Sequence, residues 1–241
     1  MQQLWNNRRR AASWVVAALV LAGCKSSTSP STSGPTGLFK GTFVSGGASG
    51  VLTLTFPAAA PTILAASLLP LPHFPTAAAA AATSITGTLA LTGGGTVTLN
   101  GTYDASANPQ LTVAGGGYTI SGNFTAASGQ FSGSFTGPSG NGQWTASAGG
   151  TTVRVFCGTY SGGASGTWNL VLDNNNMLSG VANTSKGAVQ LSGSYAGGAV
   201  TVSWSGGTAS GTLSTTTGAG SGTWAATGGG SGNWTANTTG C

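Results

Sequence analysis

Acidic side chains are almost missing from this chain of 241 residues: Asp104 and Asp173 are the two carboxylates, and glutamate does not occur. Histidine occurs once, at position 73, and none of these three residues neighbours another in sequence. General acid–base catalysis needs a positioned His, Asp or Glu, so the composition argues against an enzyme. Asp173 leads into Asn174, Asn175 and Asn176, and Asp104 follows Tyr103 at the end of an alternating run, both places for turn formers. Serine is abundant but never stands in the strand-to-helix Gly-x-Ser-x-Gly setting of an activated nucleophile, and the glycine runs open no helix that would cradle a phosphate. Metal ligands are scarce too, because no His or acidic residue lies near Cys157 or Cys241. No catalytic residue, cofactor or metal is expected. The formal charge of +5 is equally thin in content, since three of the seven basic residues are Arg8, Arg9 and Arg10. The others, Lys25, Lys40, Arg154 and Lys186, are isolated, and a nucleic-acid partner would require a dense basic patch to neutralise phosphates.

What the N-terminus does contain is ordered. The three arginines precede an uncharged apolar run over residues 11–21, and the run ends in Leu21-Ala22-Gly23-Cys24. This layout is that of an export signal, and its last four residues resemble the lipobox of bacterial lipoproteins. The resemblance implies cleavage before Cys24, a diacylglyceryl group on its thiol, and a mature chain held to a membrane by lipid. An ordinary cleaved signal peptide with a chance cysteine and an uncleaved anchor helix are the alternatives. The apolar run is shorter than the ~20 residues that span a bilayer. Several acyl chains would make the attachment effectively permanent, where one chain would be reversible. Residues 1–23 are thus read as the signal peptide and 24–37 as the lipidated cysteine with a Ser/Thr/Pro tether that has no large apolar side chain to bury. Lys25 is not the aspartate that often marks inner-membrane retention, which leans the expected location toward an outer membrane or cell surface. With Cys24 carrying lipid, Cys157 and Cys241 are left in an exported chain, and a disulfide between them is expected.

From residue 38 onward the chain is a succession of short alternating segments, such as Val51-Leu52-Thr53-Leu54-Thr55-Phe56 and Val200-Thr201-Val202-Ser203-Trp204, punctuated by glycine and asparagine turns. Period two with many β-branched and aromatic residues predicts strands. The hexapeptide Ser-Gly-Gly-Ala-Ser-Gly occurs at residues 45–50 and again at 161–166. Flanking segments correspond as well: Leu38-Phe39-Lys40-Gly41-Thr42-Phe43 with Val155-Phe156-Cys157-Gly158-Thr159-Tyr160, and Gln143-Trp144-Thr145-Ala146 with Asn233-Trp234-Thr235-Ala236. Two homologous halves follow, 38–150 and 151–241. Each carries about eight candidate strands. The expected fold is all-β, either tandem meandering eight-stranded antiparallel barrels or one long curved sheet of about 16 strands. Gly-x-aromatic motifs (Gly122 with Phe124, Gly133 with Phe135, Gly222 with Trp224, Gly232 with Trp234) put glycine and a ring on one face of a strand, so that the ring can lie over the glycine it neighbours.

The stretch from Gly158 to Trp204, with Gly166-Thr167-Trp168, Leu178-Ser179-Gly180 and Leu191-Ser192-Gly193-Ser194-Tyr195, is similar to avidin-type barrels, and the glycine-rich pattern resembles the barrels of transferrin-binding surface lipoproteins. Both resemblances imply the barrel and carry over no ligand site. One segment breaks the repeat: residues 57–83, rich in Ala, Leu and Pro, stand where the second half has a short Asp173 turn. It is read either as a plug for a barrel end or as a lid or membrane contact made by Ile63, Leu64, Leu68, Leu69, Leu71 and Phe74. The function expected is that of a lipid-anchored, non-catalytic binding or structural module of the envelope. Its interior rings favour a filled barrel that contacts glycans, proteins or its own copies through a neutral Ser/Thr/Asn face. The alternative is a carrier of a small apolar ligand or lipid within a barrel covered by the 57–83 insertion.

Overall fold

The computed structural model describes residues 34–58, 82–237 and 241. Cys24 and the insertion residues Ile63, Leu64, Leu68, Leu69, Leu71, His73 and Phe74 lie outside them. The described chain forms two closed eight-stranded antiparallel barrels in tandem, which resolves the choice against a single long sheet. The first comprises β1 (Gly37–Ser45), β2 (Ser49–Phe56), β3 (Thr83–Leu91), β4 (Thr96–Tyr103), β5 (Leu111–Gly115), β6 (Tyr118–Thr125), β7 (Gln130–Thr136) and β8 (Gly142–Ala148), with β8 pairing back onto β1. After a 3-10 turn at Gly150–Thr152 come β9 (Arg154–Gly162), β10 (Gly166–Leu172), β11 (Met177–Thr184), β12 (Gly187–Ala196), β13 (Ala199–Trp204), β14 (Gly207–Leu213), β15 (Gly220–Ala226) and β16 (Ser231–Ala236). Pairing of β16 with β9 closes the second barrel.

Alternation in sequence becomes alternation across the wall. In β2, Leu52, Leu54 and Phe56 are buried inside while Val51, Thr53 and Thr55 face outward. Glycine pairs with positive φ make the tightest turns: Gly116 and Gly117 (φ 56° and 81°) between β5 and β6, and Gly197 and Gly198 (φ 56° and 97°) between β12 and β13. Both repeated hexapeptides form hairpin turns, β1–β2 and β9–β10. The two aspartates also build turns. Asp173 Oδ1 accepts the Asn175 and Met177 amides at 2.8 Å, and Asp104 Oδ1 accepts the Ser106 amide at 2.8 Å and its hydroxyl at 2.6 Å. Those bonds hold the Asp104 carboxyl below the usual carboxylate range.

Cys157 on β9 and Cys241 form a disulfide with Cα atoms 5.5 Å apart, so the segment after the last strand is tied to the strand that the last strand closes against. Both barrels belong to one compact unit. They meet along β1 and β8 of the first and β10 to β12 of the second. Val44, Val171 and Val181 point out of their own barrels yet are fully buried in this seam. Hydroxyls and amides pair across it. Asn169 Nδ2 donates to Thr42 Oγ1 at 2.7 Å, Thr145 Oγ1 lies 3.3 Å from Ser179 Oγ, and Gln190 Nε2 donates to the Trp144 carbonyl at 3.2 Å.

Candidate functional site: the hollow of the second barrel

The interiors of the two barrels are not alike. In the first, Phe39, Phe56, Phe124, Phe131 and Tyr103 stack on one another with ring centroids 4.9–6.0 Å apart, and Phe43, Phe135 and Tyr118 fill one end. The expected filled barrel is found there. The second barrel departs from it: a cavity of ≈ 190 Å³ opens among Trp168, Ala182, Leu191, Val202, Ala209 and Trp234, with Tyr160, Thr184, Trp204 and Trp224 nearer the rim.

Strand register explains the difference. Leu52 and Trp168 each stand two residues after the last glycine of the repeated hexapeptide; Leu52 is opposite Leu89, whereas Trp168 is opposite Ala182. Likewise Val113 is opposite Ile120, and its counterpart Val202 is opposite Ala209. Two large side chains of the first barrel are therefore alanines in the second. A third change is at the rim, where Gly115 and Tyr118 are paired in the first barrel and Trp204 and Gly207 in the second, moving the ring to the other strand of the hairpin.

The indoles of the second barrel do not fill the space because they lie flat on its wall. Trp234 sits opposite Gly222, which sits opposite Gly211. The indole crosses both, close enough that a Cβ on either glycine would come within 2.6 Å of it. Its Nε1–H donates to the Ser210 carbonyl at 3.1 Å. Trp224 crosses Gly232 toward Gly162 in the same manner and donates to the Ser161 carbonyl at 3.1 Å, while Trp168 lies against Gly158 and donates to the Thr159 carbonyl at 3.2 Å. In the first barrel Trp144 covers Gly133 and Gly122 and donates to the Ser121 carbonyl at 2.9 Å. The glycine under each ring is thus on a neighbouring strand, rather than two residues back on the same one. Strands are ~4.8 Å apart, against ~6.8 Å between same-face residues along one strand, so the cross-strand glycine is the nearer neighbour.

Successive strands run antiparallel, so the β9–β10, β11–β12, β13–β14 and β15–β16 turns share one end of the barrel, which is also where Tyr160, Ala164, Thr184, Trp204 and Ala226 border the cavity. The other end is plugged by Phe156, Leu172, Leu178 and Leu213, all 1–6 % exposed. The hydroxyls on the wall are satisfied: the Tyr160 hydroxyl donates to the Asn183 carbonyl at 3.0 Å and Thr184 Oγ1 to the Gly187 carbonyl at 2.8 Å. Burial pushes the Tyr160 phenol up from its ordinary value, keeping it neutral. An uncharged, apolar-walled hollow of this kind can hold an apolar molecule and offers no group for acid–base chemistry.

The remaining expected site residues lie elsewhere. Cys157 and Cys241 are outside the cavity, on the outer side of β9. The insertion joins β2 to β3, at the end of the first barrel that corresponds to the plugged end of the second. Among the described residues no three His, Cys, Asp or Glu side chains cluster as metal ligands, and no helix is long and apolar enough to cross a membrane. Leu38 and Met177 are the exposed large hydrophobics among the described residues. Closure leaves no unpaired edge among the described strands. Comparison with protein-family models, curated proteins and solved structures finds no match to the chain.

Proposed function

We propose that this protein is an exported, lipid-anchored, non-catalytic binding protein whose second barrel takes up a small apolar molecule. The first barrel is its filled support. The observation that carries this reading is the hollow created by Ala182 and Ala209 where the first barrel has Leu89 and Ile120. A cavity of about 150 Å³ lined by apolar side chains stays dry and binds benzene, and this one, at ≈ 190 Å³, is of that order. The ligand enters past Tyr160 and Trp204, and needs no cover from residues 57–83. Lipid on Cys24 would hold the binding unit at the surface of a membrane, with residues 25–37 as spacer. Radiolabelled palmitate should enter the full chain in an expressing bacterium and fail to enter Cys24→Ser; label that persists in the variant removes the anchor from this account.

Binding is tested by calorimetric titration of the full chain with toluene, using Ala182→Leu/Ala209→Ile as the filled control. Saturable uptake is expected in the parent and at least a tenfold loss in the double variant; equal heats in both would contradict a ligand in the barrel. A second reading, contact with glycans through the hydroxyl-rich outer face, is favoured by a shallow groove over Thr208, Ser210, Thr223, Ser231 and Asn233. It predicts glycan binding that the filled variant retains.

A further inference from the structure

We infer that the ligand is a small aryl carboxylate, with its ring in the hollow of the second barrel and its carboxylate held at the rim by Lys186. This rests on the cavity reading above and adds a charge to it. Deep in the cavity the indole N–H groups already have carbonyls, Trp168 on Thr159 and Trp234 on Ser210, and nearer the rim Trp224 has Ser161. The hydroxyls of Tyr160 and Thr184 are bonded as well. A polar atom placed at depth would lose its water for nothing, so the body of the ligand is apolar.

The rim is different, because the groups left free there are donors. Trp204 borders the cavity, and its Nε1–H has no acceptor among the described residues. Lys186 is exposed in the β11–β12 turn, two residues beyond the lining residue Thr184. Neither described aspartate answers it at this end, since Asp173 is in the β10–β11 turn at the plugged end and Asp104 is in the first barrel. Arg154 begins β9 at the plugged end, where its guanidinium donates to the Thr215 carbonyl. Lys186 therefore sets the sign of the field at the mouth, and an anion is the charge that complements it.

Size narrows the class. A hollow of ≈ 190 Å³, against about 150 Å³ for one that takes benzene, admits a single ring with a short side arm and excludes a long acyl chain. The arm carries the carboxylate out of the apolar zone to the ammonium, so neither charge is buried.

The test titrates the full chain, purified from the envelope in detergent with detergent alone as blank, with 3-phenylpropanoate, its neutral amide 3-phenylpropanamide, and toluene. The acid should bind about five- to tenfold tighter than the amide at low salt, the range between an exposed ion pair and a charge-assisted hydrogen bond. That preference should shrink at high ionic strength. Lys186→Met should bring the acid down to the amide while leaving toluene within twofold, and Lys186→Arg should keep the preference. Equal binding of acid and amide to the parent, or an acid preference that survives Lys186→Met, overturns the carboxylate while leaving the cavity intact. Failure of all three probes to bind removes the cavity reading and this inference together.

Discussion

The two barrels share a strand plan and a glycine pattern and differ in what their inward side chains do. In the first, the interior rings are mostly phenylalanines, which have no polar edge to satisfy and so project into the lumen and stack, Phe131 alone lying within 6.3 Å of Phe39, Phe56, Tyr103, Phe124 and Trp144. The second uses tryptophans, whose N–H must find an acceptor when buried, and backbone carbonyls on the adjacent strand for Trp168 and two strands away for Trp224 and Trp234 draw these indoles flat over glycines. A ring on the wall leaves the middle empty. The same topology therefore becomes a packed support or a container through a few inward positions, Leu89 and Ile120 against Ala182 and Ala209 first among them.

If the first barrel is the packed one, truncating its central ring should be the costliest change in the molecule. Phe131→Ala is expected to lose about 3–5 kcal/mol, the range for a buried ring, whereas Leu191→Ala, which borders an existing hollow, should fall near the lower end of about 2–5 kcal/mol. Urea unfolding of both variants checks the order, and equal losses would erase the contrast between the barrels. Next in size, removing the disulfide by Cys157→Ser with Cys241→Ser should cost about 2–4 kcal/mol. The loss should fall on the second barrel, seen in calorimetry as a lower transition that leaves the first barrel's melting in place. The smallest effect, and the one of opposite sign, is expected from Ala182→Leu/Ala209→Ile. Filling the hollow should raise stability by about 1–2 kcal/mol while abolishing uptake of toluene. A net loss in the double variant would mean that those positions are already close-packed.

Much of the architecture was legible from local pattern. Period-two alternation located the strands, the repeated hexapeptide at residues 45–50 and 161–166 divided the chain into halves, and closure of the second half was foreshadowed by Cys157 and Cys241 at its two ends. Asp173 and Asp104 read as turn formers because a short carboxylate next to asparagine or serine can accept nearby amides, and both do. The hollow was not legible from the same pattern. Large rings facing inward suggest a filled barrel, and periodicity does not reveal whether a ring points to the middle or lies on the wall. The available signal was comparative: aligning the halves puts Ala182 beside Leu89 and Ala209 beside Ile120. The spacing from Gly211 to Gly222 to Trp234, matched by Gly122, Gly133 and Trp144, marks the lanes in which an indole is pinned.

The central claim is that one barrel is hollow and the other full, and xenon tests it most directly, since the gas enters apolar voids without demanding any particular hydrogen bond. A crystal of the full chain pressurised with xenon should show a bound atom among Trp168, Ala182 and Ala209, and none inside the first barrel. Xenon in neither barrel, or in both alike, would contradict the account.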